Sequence, residues 1–258
     1  MKINRMLKFP VAVSASLILL FASTAGARAQ ELADKEELYT GKEYHSAFAN
    51  PKDDPSLPNV LIIGDSISIG YTVDVRKKLS GKADVFRIPT NGKYAAHGLE
   101  KLEQWLGQRQ WDVIHFNWGL WDVCYRHPMS KAQGHRDKVN GTLTASPEEY
   151  RQTLEKIVER LIETKAKLIW CATTPVPEFE VGRNVGDEIK YNRIAESIMK
   201  KNHIAINDLH AHALQRLPEI QIKKGDVHFT KPGYAFLAEQ VAREIASALD
   251  SLDDMSDE

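Results

Sequence analysis

The chain has 258 residues, 43% of them hydrophobic, with 34 lysines and arginines against 35 aspartates and glutamates. That length can bury the core of one α/β domain or two small ones, and the composition excludes wholesale disorder. A formal net charge of −1 gives no electrostatic footprint for nucleic acid, and two cysteines are too few for a disulfide scaffold or a four-cysteine zinc site.

The first element is a leader. Lys2, Arg5 and Lys8 precede an apolar run over 11–22, and Ala27-Arg28-Ala29 stands before Gln30. A basic start, an apolar stretch and an A-x-A site predict a secretory signal peptide over 1–29, too short in its apolar run to span a bilayer comfortably. An uncleaved membrane anchor is the alternative. Those 29 residues carry four basic and no acidic residues, so a mature chain holds 30 basic against 35 acidic residues. The expectation is a periplasmic or secreted protein with no stable membrane span after cleavage. In that oxidising setting Cys124 and Cys171 either pair or remain as two buried thiols.

Residues 30–58 are charged, carry Pro51, Pro55 and Pro58, and read as a lead-in that wraps the domain or stays mobile. From 59 to 249 short apolar runs alternate with helical patterns. Val60-Leu61-Ile62-Ile63 predicts a buried strand ending at Gly64, and a helix is expected over 67–79. A second strand is expected over 83–88. Leu99, Leu102, Trp105 and Leu106 fall at helical spacing, and 113–118 predicts a third strand. Residues 123–145 have no clear period and read as a long loop holding Arg126, His127, Lys131, His135, Arg136 and Lys138. Ser146-Pro147-Glu148-Glu149 is a capping box that opens a long helix. Strands over 167–173 and 204–207 and helices over 187–201 and 232–249 complete the domain. The acidic tail 250–258 reads as solvated.

Strands spaced by helices pair in parallel through right-handed crossovers, so the expected fold is a three-layer α/β/α sandwich on a five-stranded parallel sheet. Sites in such folds form beyond the carboxyl ends of the strands. There the sequence places Gly64-Asp65-Ser66, a serine at a strand-to-helix turn that serves either as a nucleophile or as an ordinary helix cap. Near the other end, Asp226 stands two residues before His228 in a loop leading to the last helix. An acid so placed points to the same side of an extended segment and can hold Nδ1–H, although a surface histidine fits the pattern too. His210 and His212 are two apart on a helical stretch and cannot share a face, so a metal pair is not expected.

The combination of Gly64-Asp65-Ser66 after the first strand with the late Asp226 and His228 resembles the SGNH/GDSL hydrolase superfamily over about 59–249. The resemblance implies a flavodoxin-like sandwich and a metal-free, cofactor-free serine esterase. It makes Ser66 the nucleophile and His228 the base, with Gly92 as an oxyanion-hole donor beside the N–H of Ser66. The family's Gly-x-Asn-Asp block reads Gly119-Leu120-Trp121-Asp122 here, so Trp121 occupies the asparagine position. Asn117 lies two residues before Gly119 on the same strand face and is the expected substitute donor, with a purely structural Asn117 or a Trp121 indole N–H donor as the alternatives. The family's acid lies three residues before its histidine. Here that position is Gly225, and the acid has moved to Asp226. Trp118 and Trp121 are candidate substrate-stacking residues, with core packing as the alternative. The expected substrate is a small-molecule or polysaccharide ester, with carbohydrate O-deacetylation foremost. A lipase or thioesterase for longer acyl chains, and an inactive binding module of the same fold, are the alternatives.

Overall fold

The computed structural model describes residues 42–256; the expected signal peptide and the start of the lead-in lie outside the described residues. Five strands form one parallel sheet in the order β2-β1-β3-β6-β7: β1 Asn59–Ile63, β2 Asp84–Arg87, β3 Val113–Phe116, β6 Lys167–Cys171 and β7 Ala205–Asn207. The helices between and around them are α1 His45–Phe48, α2 Ser66–Lys78, α3 Ala95–Leu106, α4 Pro147–Ile162, α5 Asp187–Lys201, α6 Leu209–Leu214, α7 Leu217–Ile220 and α8 Lys231–Ser256.

The period of two in the strands divides the core. On β1, Leu61 and Ile63 join Ile114, Phe116, Leu168 and Trp170 on the face covered by α3, α4 and α5. Val60 and Ile62 join Val113, Ile169 and Cys171 on the face covered by α2 and α8. Strands buried on both faces read as continuous apolar runs, which is why β1 was so plain in the sequence. The expected sandwich is therefore present. Ser146 and Glu149 close both halves of the capping box at the start of α4, satisfying two otherwise orphaned N–H groups.

His115 stands in the middle of β3, fully buried, and burial pushes its pKa down to about 3. It stays neutral, with Nε2 at 3.1 Å from Asn207 Nδ2, while Asn207 Oδ1 accepts from Gln240 Nε2 at 2.8 Å. This relay ties β3, β7 and α8 together.

Two expectations change. The segment 123–145 is not a featureless loop: β4 Tyr125–Arg126 and β5 Thr142–Leu143 form a small antiparallel sheet, with a 3₁₀ turn over Gln133–His135 between them. The last helix runs on to Ser256, through most of the acidic tail. The described part of the lead-in lies on the domain, with Ala47 buried and Arg76 Nη1 donating to Ser46 O at 2.8 Å. Cys124 and Cys171 are both buried, with no disulfide between them. Among the described residues no helix is long and apolar enough to cross a membrane.

Within the layer formed by α2 and α8, the two helices pack closely beside the serine turn. On α2, Gly70 lies so near the Tyr234 ring of α8 that an added Cβ would sit 2.1 Å from it. Gly70→Ala must push these helices apart, and overpacking of that kind costs about 1–3 kcal/mol. Chemical denaturation should register that loss; an unchanged midpoint would mean the ring moves aside freely.

Candidate active site

The site forms at the carboxyl edge of the sheet. Asp65 follows β1 in extended conformation and caps α2, its carboxylate accepting from Ile67 N–H at 3.0 Å. Burial raises the Asp65 pKa, against the Ile67 N–H and the positive groups around it. Ser66 is thus the first residue of α2, and its own N–H has no acceptor among the described residues. A helix N-terminus of this kind favours negative charge nearby.

Ser66 Oγ lies 2.9 Å from His228 Nε2, and His228 Nδ1 lies 2.7 Å from Asp226 Oδ1. The same Oδ1 accepts the backbone N–H of His228 at 3.1 Å. Burial alone would raise the Asp226 pKa. The hydrogen bond and charge of His228, with help from Arg136, more than offset it and leave the carboxyl at about 2. Residues 162 apart in sequence therefore meet as a serine, an imidazole and an ionised acid in line.

Beneath this turn lies a group that the sequence reading did not select. Arg87, at the end of β2, is buried, and its Nη2 donates to Gly64 O at 2.9 Å, Asp65 O at 3.3 Å and Ser68 Oγ at 2.7 Å. Its Nη1 donates to Ile88 O and Thr90 O at 2.9 and 2.8 Å. Burial lowers the guanidinium pKa to about 9, so it is charged at neutral pH. The available signal was a lone arginine inside an apolar strand, between Phe86 and Ile88.

The geometry corrects three expectations. Gly92 does not offer its N–H to the site: it donates to Gly64 O at 2.9 Å, and an added Cβ would sit 2.8 Å from that oxygen. Gly92 is a small residue beneath the serine turn. Asn117 turns its amide toward β6, donating to Cys171 O at 2.7 Å and Thr173 Oγ1 at 3.2 Å. Both its hydrogens are spent there, so it is not an available oxyanion donor. Trp118 is fully buried and donates to Gly92 O at 3.1 Å, which makes it core rather than a stacking platform. Trp121 differs. Its ring lines the pocket shared by Ser66, Leu120, Gln133, Arg136, Arg183, Val227 and His228. Its indole N–H makes no hydrogen bond among the described residues. Arg126 lies over the ring, 4.5 Å from its centre. His210 and His212 are remote from this chemistry, bonded to Glu188 Oε1 and Phe236 O respectively.

Asp122, next to Trp121, is fully buried and caps α3 by accepting from Ala95 N–H at 2.9 Å. Burial raises its pKa to about 7, despite that hydrogen bond.

Neither a protein-family model nor a curated protein sequence matches the chain. Solved structures do. An acetyl xylan esterase, AlAXEase, is similar with a TM-score of 0.58 at 19% identity, over 72% of this chain and 99% of that one. A lipase/acylhydrolase from Enterococcus faecalis gives 0.56 at 16% identity, over 73% and 95%. A GDSL-like lipase from Bacteroides thetaiotaomicron gives 0.53 at 19% identity, over 80% and 97%. The fold is that of the SGNH/GDSL hydrolases.

The raised Asp122 pKa has a consequence for stability. A carboxyl held above its ordinary value of 3.8 contributes stability that is complete below that value and lost as pH rises through about 7. The loss is roughly 4 kcal/mol at most. Asp122→Asn keeps an acceptor for Ala95 N–H and removes the titration. Denaturation at about pH 4 and pH 8 should therefore show the variant losing less stability than the wild type across that window. Equal losses would mean that Asp122 ionises as an ordinary carboxyl.

Proposed function

We propose that the protein is an exported serine esterase that hydrolyses carboxylic esters through Ser66, His228 and Asp226. The observation that carries the reading is the unbroken contact from Ser66 Oγ to His228 Nε2 and from His228 Nδ1 to Asp226 Oδ1. Ser66 Oγ attacks the ester carbonyl while Nε2 takes its proton, and the tetrahedral adduct collapses as Nε2 protonates the departing alcohol. Water, deprotonated by His228, then cleaves the acyl-serine and restores the hydroxyl. Asp226 holds the imidazole tautomer and stabilises the imidazolium without taking the proton itself. Its carboxyl is depressed enough to stay ionised throughout.

Negative charge on the adduct needs donors that are not already engaged. The N–H of Ser66 at the start of α2 is one. We assign the second to the indole N–H of Trp121, which lines the same pocket at the position where the family carries asparagine. Gly92 and Asn117 are committed to the scaffold. Export rests on the leader pattern at 1–29. Carbohydrate O-deacetylation is supported by the fold shared with an acetyl xylan esterase.

Purified mature protein assayed on nitrophenyl esters and acetylated sugars tests the reading. Ser66→Ala should lower kcat by about 10⁶ and Asp226→Asn by about 10⁴, each with the fold intact. Wild-type turnover in the serine variant would end the mechanism. Among donors, Trp121→Phe keeps the ring and deletes one N–H, and should cost about 10²–10³ in kcat with little change in KM. Asn117→Ala should instead lower thermal stability, because it removes a brace to Cys171 and Thr173. If Trp121→Phe keeps wild-type kcat, the indole is not a donor.

A further inference from the structure

Phe179, in the loop after β6, is the one exposed aromatic side chain among the described residues, with 61% of its surface open. It also stands at φ 68°, in the left-handed region that a bulky residue rarely adopts. Such a conformation costs free energy and persists only where neighbouring contacts impose it. Those contacts lie on either side of the ring. Pro177 is buried, and its carbonyl accepts the N–H of Glu180 at 3.4 Å. The buried Glu180 carboxylate accepts from Arg136 Nη1 at 2.9 Å, Arg183 Nη1 at 3.1 Å and Gly182 N–H at 2.7 Å. The turn is thus pinned, with the phenyl ring at its tip. A glycine would take this backbone without strain, and a ring so exposed adds little to the core.

The ring lines a groove of about 460 Å³, within the range of small-ligand sites. Pro177 and Phe179 come from one loop, and Leu217, Gln221, Lys223 and Lys224 from the segment before Asp226. Lys224 Nζ lies 3.8 Å from the ring centre, a contact that orients the ring. The lining therefore joins an aromatic surface and apolar carbons to amide and ammonium donors. A sugar ring has the matching pair of properties, an apolar C–H face and a rim of hydroxyls. An acyl chain offers nothing to those donors.

The groove adjoins the loop that carries Asp226 and His228. Gly225 lies so near the Phe179 turn that an added Cβ would sit 2.8 Å from Phe179 O. Gln221 Nε2 donates to Asp226 O at 2.7 Å, and Lys223 Nζ lies 3.7 Å from Asp226 Oδ2. Three residues of chain separate Gly225 from His228, a reach of about 11 Å at most. A saccharide with its ester at Ser66 can therefore place a ring further along its chain in the groove.

We propose that this groove binds a sugar ring beyond the one that carries the ester, stacked on Phe179, so that the substrate is an oligomeric saccharide. The proposal rests on the carbohydrate-esterase reading and adds the length of the substrate and the residue that senses it.

Acetylated monosaccharides against acetylated tetrasaccharides test it: xylose with xylotetraose, glucose with cellotetraose, and mannose with mannotetraose. In at least one pair the tetrasaccharide should have a kcat/KM per acetyl group about tenfold higher. Phe179→Leu keeps an apolar side chain and the same backbone demand but loses the aromatic face, and should bring that ratio to about one. Phe179→Tyr should retain it. Ratios near one in every pair, with the monosaccharide esters hydrolysed, overturn the proposal and leave the esterase reading standing. A ratio that survives Phe179→Leu overturns it too. If 4-nitrophenyl octanoate outruns the acetate and loses that advantage in Phe179→Ala, the groove holds the acyl chain and the proposal falls.

Calorimetry with the three unacetylated tetrasaccharides reads the groove without turnover. Binding that weakens in Phe179→Leu supports the proposal even if no ester is hydrolysed. Absence of binding by all three counts against it.

Discussion

Everything at the active edge depends on one buried cation. The Gly64 carbonyl is engaged twice, by the Arg87 guanidinium and by the N–H of Gly92. Arg87 also reaches Asp65 O and Ser68 Oγ, so both ends of the first turn around Ser66 are fixed from below. A carbonyl at a sharp strand-to-helix turn has no sheet or helix partner of its own and would otherwise be buried unsatisfied. Burying a guanidinium is expensive, and the drop of its pKa to about 9 measures the strain on its charge. That cost is offset because five acceptors converge on one planar group, which holds the serine turn in a single geometry. Catalysis by positioning needs that kind of rigidity.

The frame was legible in the sequence because the strands are buried on both faces and the helices carry their own start signals. The run at 60–63 and the capping box at 146–149 each state a local preference that the packing repeats. That the serine, the acid and the histidine could meet was legible as well, since Ser66 follows β1 directly and Asp226 and His228 stand in the loop just before the last helix. The fate of hydrogen-bond donors was not. Asn117 has the right residue type on the right face, yet its amide is claimed by Cys171, 54 residues away. The indole of Trp118 is claimed by Gly92, 26 residues away. No periodicity encodes such pairings. The two-residue strands β4 and β5 escaped for a related reason: each is too short to show alternation, and their order comes from contacts with the 175–186 loop.

Three aspartates share this edge, and their surroundings give them different tasks. Asp65 and Asp122 cap α2 and α3 from fully buried positions, and burial raises both pKa values. Each has one oxygen without a hydrogen-bond partner. Asp226 is less enclosed, faces an imidazole, and is held at about 2. Two acids therefore act as structural acceptors at helix ends, while the third keeps a full charge beside the imidazole that the proposed mechanism would protonate.

The one-residue shift of that acid relative to the family pattern also has a physical account. An acid two residues before a histidine can reach both the main chain and the ring of that histidine. Asp226 does so with one oxygen, which takes the His228 N–H at 3.1 Å and Nδ1 at 2.7 Å. The backbone bond fixes the distance between the two residues, and the ring bond then fixes the direction of the imidazole. Asp226 is itself held by Gln221 Nε2, which donates to its carbonyl at 2.7 Å, and by its own N–H to Lys223 O at 3.2 Å. The shorter spacing thus costs reach along the chain but gains a second anchor, and Nε2 still arrives at hydrogen-bonding distance from Ser66.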